Sequence, residues 1–252
     1  GRGGTAGGSG AAGRSAGGAS GAAETGGAAG FGPCPPAGTA CVILPLGDSI
    51  TYGYGSTTGG GYRVDLFSAA VAAGKSITFV GSQASGPTTV AGKPFPKGNE
   101  GHSGYSIDDS SKTSGISGAI TDDAIRNDRP NIILLMIGTN DMHDALDVGN
   151  APTRLGRLMD EILADAPGAL LVVATIIPAN GSQNTPTQTY NAALPALIQA
   201  RAGKGKHVIG VDMYAAMKSW STTLYKDSEH PNDAGYSIMA NVWFGAIRSF
   251  IP

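Results

Sequence analysis

Five strand-length apolar runs alternate with amphipathic helical segments along this chain, and that alternation leaves few folds open. The runs lie near residues 42–46, 77–81, 131–137, 169–177 and 207–212. Helical patterns fall near 62–73, 116–127, 153–166, 186–202 and 234–249. Runs of this kind, each followed by a helix, predict strands buried on both faces of a parallel sheet. Leu155, Leu158, Met159, Ile162 and Leu163 keep an i, i+3, i+4, i+7, i+8 spacing, which gives one apolar stripe to lie against that sheet. Right-handed crossovers between the strands then predict an α/β fold, a three-layer αβα sandwich with a five-stranded parallel sheet. Its ligand crevice belongs at the carboxyl ends of the strands.

Composition narrows the function. The 252 residues fit one such domain, and a formal net charge of -2 with 14% charged residues offers no basic field for nucleic acid or an anionic membrane surface. The longest apolar stretch, 169–177, is far short of the ~20 residues of a membrane span. Residues 1–30 contain 13 Gly and nine Ala, and no large apolar side chain precedes Phe31. We expect residues 1–33 to be a disordered linker or tail, tethering a folded domain over 34–252 to an upstream domain or anchor. Cys34 and Cys41 enclose a Pro-Pro-Ala-Gly-Thr-Ala stretch able to turn back on itself, which predicts a small disulfide and an extracellular, secreted or cell-surface setting. So short a loop places its stabilisation near the bottom of the ~2–4 kcal/mol range.

Gly47-Asp48-Ser49-Ile50-Thr51 follows the first apolar run, so Ser49 sits on a turn at a strand's carboxyl end, where a helix N-terminus stabilises negative charge. Ser49 is the candidate nucleophile; the other reading is a plain strand-to-helix turn whose Ser and Thr cap a helix. Asp48 is read as bracing the turn. A serine nucleophile needs a base, an orienting acid and oxyanion donors. Among the four histidines, His207 reads as a surface residue, while His102 and His143 could each line a site. His230 lies in Asp227-Ser228-Glu229-His230-Pro231, and the three-residue offset lets Asp227 reach its ring from one turn. The backbone N–H groups of Ser49 and Gly104 and the side-chain amide of Asn140 are the candidate oxyanion donors. In isolation Gly104 could merely turn a loop and Asn140 merely cap one.

The ordered set GDSIT, HSGYS, GTND and DSEHP, holding Ser49, Gly104, Asn140 and His230, resembles the four blocks of the SGNH hydrolases, or GDSL esterases, over residues 42–250. Ile50 stands where the eponymous motif has Leu. GDSITYG, GGYR at 60–63, FVGS followed by SGP at 79–87, EGHSGYSI at 100–107 and HPNDAGY at 230–236 are similar to the acetylxylan esterases of carbohydrate esterase family 3. The resemblance implies a flavodoxin-like sandwich and an SGNH hydrolase catalytic domain over 34–252. It further implies Ser49 as nucleophile, His230 as base, Asp227 as triad acid, and an oxyanion hole of Ser49, Gly104 and Asn140. Neither metal nor cofactor is required by that chemistry. The implied substrate is an acetylated polysaccharide or oligosaccharide, acetylated xylan foremost. Two alternatives stand beside it. One is a short-chain acyl esterase or lysophospholipase of the same superfamily. The other is a non-catalytic flavodoxin-like binding module, in which GDSIT and the glycines at 53, 55, 59, 60 and 61 cradle a phosphate. That reading leaves Asp227 and His230 unexplained and lacks a P-loop lysine or a spaced GxGxxG. The Gly- and Ser-rich stretch from Ser82 to Ser114 is expected to be a long binding loop, with few large apolar side chains for an acyl groove.

Overall fold

The computed structural model describes residues 1, 3, 4, 31–120 and 122–252, so the tail expected over 1–33 lies almost wholly outside the described residues. Val-, Ile- and Leu-rich runs form the strands. They are β1 (Cys41–Gly47), β2 (Ile77–Phe79), β3 (Gln83–Ala84), β4 (Thr89–Val90), β5 (Lys93–Pro94), β6 (Gly98–Gly101), β7 (Ile132–Met136), β8 (Leu170–Ala174) and β9 (Val208–Val211). The helices are α1 (Ser49–Tyr52), α2 (Tyr62–Ala72), α3 (Ile116–Ala119), α4 (Asp122–Asp128), α5 (Thr139–His143), α6 (Ala151–Asp165), α7 (Asn184–Ala202), α8 (Met213–Met217) and α9 (Asp233–Ile247).

All five expected strands form, side by side and parallel in the order β2-β1-β7-β8-β9. Every residue of β7 and β8 is buried, as a sheet covered on both faces requires. Helices α2, α8 and α9 pack with one another, and α4, α6 and α7 form a second group, which completes the three layers. The stripe on α6 is buried throughout, as its spacing predicts.

The sheet is wider than the sequence pattern implied. Strand β6 pairs in parallel with Leu46 and Gly47 of β1, beyond the reach of β2, and β3 adds an antiparallel edge to β6. The stretch expected as one long loop over 82–114 is therefore partly strand, with a β4–β5 ribbon inside it. Two further boundaries move. The helix expected over 116–127 is two pieces, since α3 ends at Ala119, and the run 169–177 leaves the sheet after Ala174.

Cys34 and Cys41 are joined by a disulfide with Cα atoms 4.9 Å apart, and Cys41 is the first residue of β1. Asn131 ties the same end of the sheet: its Nδ2 donates to the Pro33 carbonyl (2.8 Å), and its Oδ1 accepts from the Val42 N–H (2.9 Å).

Arg63, on α2, is fully buried. Its guanidinium donates to the carbonyls of Thr51, Tyr52, Ser85 and Lys97 and to the Ser85 hydroxyl, at 2.6–3.3 Å. Burial lowers its pKa to about 10, which still leaves it charged at neutral pH. Replacing Arg63 by Met keeps the bulk but strands buried carbonyls, and should cost roughly 3–5 kcal/mol in urea unfolding. Arg63→Lys should recover only part of this, because an ammonium lacks the planar fork. A midpoint for Arg63→Met equal to the parent's would show that those carbonyls find other partners.

Candidate active site

The turn after β1 is built by Asp48. Its Oδ1 accepts the Ile50 N–H at 2.9 Å and so caps α1. The capping role is thus filled without Ser49, whose Oγ lies 2.9 Å from His230 Nε2. Opposite, His230 Nδ1 is 2.9 and 3.0 Å from the two carboxylate oxygens of Asp227. Asp227 Oδ1 also accepts the backbone N–H groups of Glu229 (3.0 Å) and His230 (2.8 Å), which fixes the loop that presents the ring. Partial burial works against the Asp227 carboxylate, but those two N–H groups and the His230 ring outweigh it and hold its pKa below the usual range. An ionised Asp227 keeps the proton on Nδ1, leaving Nε2 to accept from the Ser49 hydroxyl. Ser49 is 8% exposed, and Tyr54 lays its ring against His230 with centroids 4.5 Å apart. This arrangement can deliver a serine alkoxide to a carbonyl and hold the resulting imidazolium.

The candidate oxyanion donors come from the neighbouring strand ends. After β6, His102 N–H donates to the Gly47 carbonyl (2.9 Å), and a turn closes from Tyr105 N–H to the His102 carbonyl (3.1 Å). Gly104 occupies the third position of that turn at φ +80°, where a type II turn demands glycine. Space is not the constraint, because a Cβ at Gly104 would meet nothing within 4 Å. Asn140, on α5 beyond β7, donates through Nδ2 to the Tyr105 carbonyl at 2.8 Å. One of its two amide hydrogens thereby braces the Gly104 turn, and the geometry of the amide fixes the direction of the other.

The remaining histidines separate. His102 Nε2 lies 2.7 Å from Glu100, a carboxylate 1% exposed that also accepts the Ser82 N–H and hydroxyl. Burial opposes the charge on Glu100, yet these partners together lower its pKa. His143 Nδ1 faces Glu229 at 3.3 Å. His207 is half-buried just before β9, and its carbonyl accepts the Leu171 N–H. Sequence reasoning did not single out Glu229, Glu100 or Tyr54. Only the adjacency of Glu229 to His230 could have drawn attention to it.

The family model described as GDSL-like Lipase/Acylhydrolase matches residues 46–238. The chain belongs to that family. A solved family 3 carbohydrate esterase from Clostridium thermocellum is 31% identical, with a TM-score of 0.71 over 84% of this chain and 98% of that one. A family 3 carbohydrate esterase from Talaromyces cellulolyticus, 24% identical, shares the fold with a TM-score of 0.70 over 83% of this chain and 97% of that one. The curated "Multidomain esterase" of Ruminococcus flavefaciens is 28% identical over 226 residues, 83% of this chain; the chain spans 28% of that protein's length. This GDSL family member is a carboxylic ester hydrolase, which sets aside the non-catalytic phosphate-binding reading. No helix among the described residues is long and apolar enough to cross a membrane.

Asp48 gives this GDSL turn a pH signature. It is fully buried, and desolvation pushes its carboxyl up to about 6 against the Ile50 N–H, the nearby Thr139 hydroxyl and His230. Its Oδ2 and the Thr139 Oγ1 lie buried without a formed hydrogen bond. The unfolded carboxyl ionises near 3.8 and the folded one near 6, so stability falls as pH rises through that window. Asp48→Asn keeps the acceptor for Ile50 and removes the charge. Its stability should match the parent's near pH 4 and exceed it by ~2–3 kcal/mol above pH 7. Urea midpoints taken from pH 4 to 8 test this, and a gap that does not widen with pH would refute it.

Proposed function

We propose that this chain removes acetyl groups from a polysaccharide or oligosaccharide, most specifically acetylated xylan, through a serine acyl-enzyme. The observation that carries the mechanism is the unbroken contact from Ser49 Oγ through His230 to Asp227. His230 takes the Ser49 proton as Oγ attacks the acetyl carbonyl, and Asp227 stabilises the imidazolium. The Ser49 and Gly104 N–H groups and the Asn140 amide receive the oxyanion. The sugar hydroxyl leaves with the proton from His230, and water repeats the sequence to release acetate. Similarity to a carbohydrate esterase at 31% identity supports the substrate class. The Cys34–Cys41 disulfide supports an oxidising, extracellular setting, where such polymers occur. A place in a larger, tethered protein is supported by the multidomain relative, of which this chain spans only part.

Acetate release decides the substrate, compared across acetylated xylan, chitin oligomers, acetylated pectin and long-chain acyl esters. Preference for acetylated xylan is expected; highest activity on long-chain esters would overturn the carbohydrate reading. On the preferred ester, Ser49→Ala should abolish turnover, His230→Ala should be nearly as severe, and Asp227→Ala milder. Asn140→Ala should lower kcat by ~10²–10³-fold with KM little changed, because its amide acts on charge that develops in the transition state. An Asn140→Ala enzyme that melts earlier but turns over at the parental rate would reduce Asn140 to a brace for the Gly104 turn.

A further inference from the structure

A groove of about 380 Å³ opens between α5, the segment after β8 and the loop that carries Ser228 and Glu229 ahead of His230. Its walls include the sequence neighbours of two site residues. Thr139, next to Asn140, and Glu229, next to His230, both line it. Its far wall is held in place: the Tyr225 hydroxyl donates to the Pro178 carbonyl (2.9 Å), and Asn180 N–H donates to the Ser228 carbonyl (3.4 Å). The volume falls within the ~300–1,000 Å³ of small-molecule sites.

The chemistry of the wall is amphipathic. Met142 and Ile177 are apolar and buried, while Asn180 and Gln183 bring amides and Glu229 a carboxylate. Glu229 Oε2 is buried and lacks a hydrogen bond; His143 Nδ1 stands 3.3 Å away without bonding geometry. Oε1 is 3.9 Å from His230 Nδ1. Because Oε2 is closed off, Oε1 is the oxygen a ligand can meet, and an acyl chain laid against it would remove water and return no donor. A sugar ring meets both demands, with C–H faces for Met142 and Ile177 and hydroxyl donors for the carboxylate.

We propose that this groove is the subsite for the sugar unit bearing the ester, with Glu229 accepting a hydrogen bond from the hydroxyl next to the acetylated one and His143 holding the carboxylate in position. This rests on the carbohydrate esterase reading. Glu229 is then a specificity-determining residue that discriminates sugar esters from simple ones.

The test compares Glu229→Leu, Glu229→Gln and His143→Gln with the parent on acetylated xylo-oligosaccharides and on 4-nitrophenyl acetate, with thermal unfolding to confirm that each variant is folded. Loss of a hydrogen bond to a charged group predicts that Glu229→Leu loses at least about tenfold more kcat/KM on the oligosaccharide than on the aryl ester, chiefly through KM. Glu229→Gln, which keeps an acceptor, should fall between Leu and the parent, and His143→Gln should shift the same ratio in the same direction. Equal losses on both substrates would overturn the proposal and show that Glu229 acts through His230. So would a parental ratio in every variant. A parent that cleaves the aryl ester but no acetylated carbohydrate fails the underlying reading instead, a result separable from variants that leave an active parent's preference unchanged.

Discussion

The active edge of this molecule hangs on a guanidinium that water does not reach. Helix α1 is one turn long, so its last carbonyls, on the buried Thr51 and the half-buried Tyr52, have no helix to bond to. Arg63 reaches across from α2 to take up Thr51 and Tyr52, and with the same fork it holds Ser85 and Lys97 from the segment around β4 and β5. Asp48 and the backbone bonds from Tyr52 and Gly53 close the turn carrying Ser49, and Arg63 satisfies the carbonyls that closure leaves over. Gly101 answers a matching steric demand, since a side chain there would strike the Tyr52 backbone and the Asn99 side chain. The end of β6 can lie against α1 only because that position is bare.

This closeness makes a site whose parts brace one another. The His102 turn begins on the Gly47 carbonyl, one residue before the cap of α1. Asn140 bonds the end of that turn, and Asp48 caps α1 while its second oxygen lies toward α5. Three strand ends therefore position the candidate oxyanion donors and the candidate nucleophile together. Such cross-bracing lowers the reorganisation needed as charge develops.

The parts of this design that could be read from the sequence are those with a period. The apolar runs that became β1, β2, β7, β8 and β9 and the stripe on α6 are burial patterns, and burial repeats along the chain. Strand β6 has no such signal. It reads Gly-Asn-Glu-Gly, yet three of its four residues are buried, because Glu100 finds Ser82 and His102, and Asn99 finds Ser85, only once the chain has folded. The pairing of Asp227 with His230 was legible because both lie in one turn, three residues apart. The contact of His143 with Glu229 joins the end of α5 to the loop before α9, and nothing local announces it. The same holds for the Asn140 bond to Tyr105, where a sequence motif named the residue but not what its first hydrogen does.

The Cys34–Cys41 bridge lies at the amino end of β1, while Ser49 lies just past its carboxyl end. The two ends of that strand are therefore mechanically distinct. A pull on the chain ahead of Cys34 passes through the bridge to Cys41, so the intervening loop cannot run out as slack. The load then runs along β1, whose bonds to β2 and β7 resist together in shear rather than opening one at a time. Asn131 shares that load through Pro33 and Val42. A load on that end of β1 is therefore taken up by the sheet before it reaches the turn that carries Ser49.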